Sequence, residues 1–160
     1  YAADTVEKAC ALLADKGTSV RMGLETMGKQ NQLGTLDEVL TLCKMDARLS
    51  PVVDFGHLNA RECGGVFPDA DAYRALFDRV AEVLGDDKAR YMHCHFSKIE
   101  WTTAGEKRHL TFADTLYGPD FEPLMETLVR ENLCPRIICE SAGTMAEDAL
   151  TMKQCYLAMK

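Results

Sequence analysis

The chain has 160 residues, of which 47% are apolar and 27% charged. That balance excludes a collagen-like, disordered or membrane-embedded polypeptide, because no apolar run approaches the ~18 residues of a spanning helix. The net charge of -7 is a poor match to generic polyanion binding, which wants clustered Lys and Arg.

The elements alternate. Residues 2–16 put Val6, Cys10 and Leu13 on one helical face, and Gly17 follows as a stop. Residues 19–25 read as a short strand. Residues 35–44 read as a helix, with Thr35 and Glu38 spaced as a capping box. Residues 51–55 predict a strand, 69–84 an amphipathic helix ending before Gly85, and 90–96 a third strand. A long polar connection is expected over 97–118, then a helix over 120–132, a strand over 136–140 and a helix over 144–159. A helix followed by four strand–helix units predicts an α/β fold: a parallel sheet with helices packed outside it. No repeat, low-complexity tract or linker breaks the pattern, so one domain over 1–160 is expected.

The seven cysteines are odd in number and include no C-x-x-C pair. Several lie in apolar stretches, such as Cys139 in RIICES. Reduced, buried thiols in a cytoplasmic protein are expected, with disulfides or a structural zinc as the alternative. The opening YAADTVEKAC is polar and helix-like, unlike a secretory leader.

The polar residues of interest collect at the carboxyl ends of the predicted strands, the functional face of parallel α/β folds. Glu25 ends the first strand. Asp54 ends the second, with His57 three residues on. His93 and His95 close the third, and Glu140 ends the fourth. Singly, each has a plain explanation. Glu25 or Glu140 could be an acid at a helix N-terminus, Asp54 an Asx-turn or cap residue, His57 a cap of the loop at 56–60, and His93 a satisfied core histidine. Together, three converging carboxylates would repel unless a cation neutralised them. Mixed carboxylate and imidazole ligands suit Zn²⁺ or Mn²⁺. Glu25, Asp54, His95 and Glu140 can reach one centre, and His57 with His109 can form a second cluster. Lys107 and Arg108, beside His109, are either a solvated charge run or a substrate contact to phosphate or a sugar oxygen.

Five segments carry a resemblance: GLETMGKQNQLGT (23–35), VVDFGHLNA (52–60), MHCHFSK (92–98), GEKRHLTF (105–112) and IICESAG (137–143). In order and spacing they resemble the endonuclease IV family, within the xylose isomerase-like TIM barrels, from about residue 19 onward. The resemblance implies the C-terminal half of a (β/α)₈ barrel. It implies that Glu25 bridges two metals and that Asp54, His95 and Glu140 complete one coordination sphere. His57 and His109 would hold a further metal. The implied activity is metal-dependent phosphodiester cleavage at abasic sites in DNA, with Glu25 and Glu140 at the catalytic centre.

Two departures accompany it. Lys107 stands where the family has a metal-binding aspartate, and an ammonium cannot ligate a cation. The histidines that the family draws from its early strands lie outside these four units. The Glu25, Asp54, His95 and Glu140 set is also the single-metal site of the related sugar isomerases and epimerases. There the two glutamates exchange protons with the substrate. His57 and Arg108 would then contact a small sugar. A metal-binding remnant without activity is the third expectation. A half barrel leaves two open sheet edges, so pairing with a second copy or with an N-terminal half-barrel is expected.

Overall fold

In the computed structural model, which describes residues 1–160, a helix is followed by four strand–helix units and one inserted hairpin. The chain runs α1 (Ala2–Asp15), β1 (Met22–Glu25), α2 (Leu36–Cys43), β2 (Leu49–Asp54) and α3 (Phe55–Arg61). It continues through α4 (Ala70–Leu84), α5 (Asp86–Arg90), β3 (His93–Phe96), β4 (Ile99–Thr102) and β5 (Gly105–His109). It ends with α6 (Glu122–Arg130), β6 (Arg136–Cys139) and α7 (Met145–Met159). The main sheet is parallel throughout, in the order β1-β2-β3-β6. No helix is long and apolar enough to cross a membrane.

Local chemistry sets the element ends. Thr35 and Glu38 make both hydrogen bonds of a capping box at the start of α2. Asp69 caps α4 by accepting from the Ala72 amide at 2.9 Å. Asp54 caps α3 in the same way through the His57 amide. That cap turns the chain sharply out of β2 into a helix, so of the two plain readings of Asp54, an Asx-turn or a cap, the structure shows the cap.

Side chains alternate across the strands. Val53, Cys94, Phe96 and Cys139 face outward into one core with Phe55, Tyr73, Phe77, Val80, Leu124 and Met152 from the helices. Phe55 lies at its centre, with Phe67, Tyr73, Phe77 and Phe96 around it at ring-centroid distances of 5.3–6.3 Å. A smaller cluster of Cys10, Val39, Cys43 and Leu49 seats α1 and α2. Ser50, Val52, His93, His95 and Ile138 face the other way, onto a concave surface that no helix covers. His93 is exposed there, which corrects the expectation of a core histidine. Strand parity puts it on the side of His95, with the two rings 5.1 Å apart.

The stretch expected to be a polar connection holds the β4–β5 hairpin. The strands read poorly from sequence because EKRH is nearly all polar, and the hairpin lies outside the main sheet. All seven cysteines are free: Cys10, Cys43, Cys94 and Cys139 are buried and Cys134 is exposed.

Candidate metal centre

Four side chains meet at the carboxyl end of the main sheet, one from each strand or its exit. Ligand atoms of Glu25, Asp54, His95 and Glu140 all lie within 4.8 Å of one another. His95 Nδ1 stands 2.9 Å from Glu25 Oε1 and 3.3 Å from Glu140 Oε1. Asp54 is fully buried, and one of its oxygens, Oδ1, is taken by the His57 amide at 2.7 Å. The other, Oδ2, is buried without any hydrogen-bond partner. An orphaned carboxylate oxygen amid two more carboxylates is costly. A divalent cation at this centre resolves both the orphan and the repulsion, and an O,O,O,N donor set suits it. The residues therefore fit a metal ion.

A second set adjoins the first. His57, Glu106 and His109 also bring ligand atoms within 4.8 Å of one another. The His57 and His109 rings lie 5.4 Å apart, and His57 Nε2 is 3.5 Å from Glu106 Oε2. The border between the sets is narrow, with His57 Nδ1 only 3.7 Å from Glu25 Oε1 and from Asp54 Oδ2. Supporting groups aim both rings. His57 Nδ1 donates to the Thr26 carbonyl at 2.9 Å, which leaves Nε2 for the cluster. His109 Nδ1 hydrogen-bonds the buried Ser97 hydroxyl at 2.8 Å, so its Nε2 also points inward. The Thr26 hydroxyl accepts from the Asp54 amide at 2.9 Å and ties the two strand ends together.

Glu106 went unnoticed in the sequence, and a backbone irregularity explains why. In a regular strand, residues three apart face opposite sides. In β5 the pairing runs Glu100 with Arg108 and then Trp101 with Glu106, so Lys107 is the extra residue of a bulge. The bulge brings Glu106 and His109 to one side. Lys107 and Arg108 meet Glu100 instead, at 2.5 and 2.6 Å. At this position the structure sets Glu106, and not Lys107, beside His57 and His109. Neither Lys107 nor Arg108 is brought to the two ligand sets.

The electrostatics of the site's own side chains follow from burial. Desolvation raises the Asp54 pKa above the ordinary carboxylate value, although His57 opposes it. Burial works against a charged His57, but Asp54, the Thr26 carbonyl, Glu106 and Glu25 outweigh it, and its pKa is raised. Both groups thus hold protons more tightly folded than unfolded. A group with this sign adds stability that fades as pH climbs through its folded pKa. In a chelator, the melting temperature should fall as pH rises upward from about 6.5, the ordinary His value. The slope should flatten in His57→Gln. A melting temperature that climbs over that range in the wild type would contradict the assignment.

Comparisons with known proteins bear on the family and the fold. The xylose isomerase-like TIM barrel family model matches residues 1–155, and the chain belongs to that family. An uncharacterized protein of Methanocaldococcus jannaschii is 33% identical over 138 residues, covering 86% of this chain and 49% of its own. The chain thus spans about half the length of that relative. Among solved structures, the E. coli 3-keto-D-glucoside 4-epimerase superposes with a TM-score of 0.53 at 18% identity, over 98% of this chain and 51% of the other. The AsfvAP:AG structure gives 0.54 at 16% identity, over 85% and 53%. At those identities the likeness is one of fold. It supports a partial barrel of xylose isomerase-like type, with these four parallel strands as about half of the barrel.

Proposed function

We propose that the complete protein is a metal-dependent phosphodiesterase that cleaves DNA at abasic sites, in the manner of the endonuclease IV family. The observation that carries this reading is the His57, Glu106 and His109 set placed against the four-ligand set. The single-metal sugar reading uses the four-ligand set and two flanking acids, and takes His57 as a substrate contact rather than as part of a second ligand set. Phosphodiester hydrolysis has a use for a second set, because charge develops on both the attacking and the leaving oxygen.

Divalent ions bound here would supply an acidic water and neutralise phosphoryl oxygens. The chain's own residues do the rest. Asp54, fully buried and fixed by the His57 amide and the Thr26 hydroxyl, is the rigid anchor. Glu25 and Glu140, partly exposed on either side of His95, would complete the coordination sphere with it and with Asp54. His57 and His109 present Nε2 from fixed rings. The acidic balance of the chain is compatible with DNA, since Glu25, Asp54, Glu106 and Glu140 lie where cations would cancel them. The uncovered concave face would pack against the other half of the barrel.

Full-length protein loaded with Zn²⁺ or Mn²⁺ should incise a duplex carrying an abasic site and leave an intact duplex uncut. Absence of incision together with epimerisation of a free ketose would replace this reading with the sugar one. Metal binding without either activity would leave the inactive remnant.

A further inference from the structure

Arg61 lies on α3 four residues after His57, and it is buried with 8% of its surface exposed. Its side chain makes no use of the active centre. Instead the guanidinium donates to four main-chain carbonyls of one loop. Nη1 reaches Met27 at 3.2 Å and Lys29 at 2.6 Å. Nη2 reaches Gln30 at 3.3 Å and Gln32 at 3.0 Å. The Gln30 side chain returns a hydrogen bond to the Arg61 carbonyl at 2.9 Å. The loop is closed at its base by the Met27 amide on the Gly34 carbonyl at 3.0 Å.

The same loop grips the hairpin. The Glu106 amide donates to the Gly28 carbonyl at 2.9 Å, and the Gln30 amide to the Ala104 carbonyl at 3.3 Å. Lys29 and Gly105 form an isolated bridge. The approach is tight. A Cβ on Gly28 would stand 2.6 Å from Glu106 Cβ and 2.7 Å from its Oε2. Gly105 is held at φ +93°, where its bare Cα faces the Gly28 carbonyl.

We propose that Arg61 is a positioning residue for the second ligand set: it shapes the 27–32 loop, and that loop sets Glu106 beside His57 and His109. This rests on the reading of that set as a metal site. A guanidinium suits the task because a planar fork with five donors can span several carbonyls at once. An ammonium concentrates its donors at one point and cannot. Arg61 and His57 sit on the same short helix, so one rigid element carries a ligand and fixes the loop that aims another.

Metal-free, full-length protein titrated with Co²⁺ and followed by its visible absorption would test this, with Glu106→Gln used to identify the signal of the second set. Arg61→Lys should weaken the second set by about 10–100-fold, the usual cost of losing a supporting group, and leave the four-ligand set at wild-type affinity. Gly28→Ala pushes Glu106 from the loop side and should give the same pattern, which guards against misfolding of the Arg61 variant. Hydrogen exchange of the metal-free Arg61→Lys protein should show faster exchange at the Glu106 amide. Wild-type affinity for both sets in both variants would overturn the inference and leave the metal reading standing. Equal weakening of both sets would also overturn it, by marking Arg61 as a general fold support. Wild-type protein that fills only the four-ligand set would sink the metal reading of the triad, and the inference with it.

Discussion

Asp54→Asn should strip the ion from the four-ligand set while leaving the metal-free protein at least as stable as the wild type. The two halves of that outcome have separate causes. Asparagine keeps the shape, and its side-chain oxygen can still accept from the His57 amide, so the cap of α3 survives. What disappears is the negative charge on a fully buried group whose Oδ2 has no partner. Without metal that charge is a liability, which is why burial drives the Asp54 pKa upward. With metal it is the innermost ligand. Affinity should therefore fall well beyond the ~10–100-fold cost of losing a merely supporting group. Metal analysis after dialysis checks the first half, and melting in chelator checks the second. A variant that melts far below the wild type in chelator would show that Asp54 serves the fold, with the metal incidental.

The divided character of Asp54 also explains what could be read from the residues in advance. Strand–helix alternation, the parallel sheet and the strand-end positions of Glu25, Asp54, His95 and Glu140 follow from hydrophobic periodicity and chain order. Those features repeat over many residues and tolerate local error. The hairpin at 99–109 was hard to read because its strands are only four and five residues long, β5 is almost wholly polar, and the pair lies outside the main sheet. Glu106 was hidden for a sharper reason. In EKRH the eye pairs residues two apart, and only the bulge at Lys107 makes residues three apart share a side. Ser97, Thr26 and Arg61 left no pattern at all. Their value lies in contacts across 12, 28 and roughly 30 positions of chain, which no local rule encodes. His93 shows the converse, since parity with His95 was plain and still did not tell a covered face from an open one.

Glu106→Gln separates the two enzymatic readings most sharply. The substitution keeps the bulge and the amide bond to Gly28, because both are main-chain features. It removes the only carboxylate of the triad, and leaves Glu25, Asp54, His95 and Glu140 untouched. If the triad holds an ion that helps neutralise the phosphoryl group, incision of abasic DNA by the full-length protein should drop by roughly 10²-fold or more, the scale of losing one charge-stabilising group. The loss should lie in kcat, since charge develops in the transition state rather than on binding. A sugar epimerase would respond differently. Its proton exchange runs between Glu25 and Glu140 at a single metal, so Glu106→Gln would alter KM for a ketose and spare kcat. Measured side by side on both substrates, the variant thus reports whether the second set takes part in chemistry or only in substrate fit. An unchanged kcat for incision would remove the triad from the phosphodiesterase mechanism.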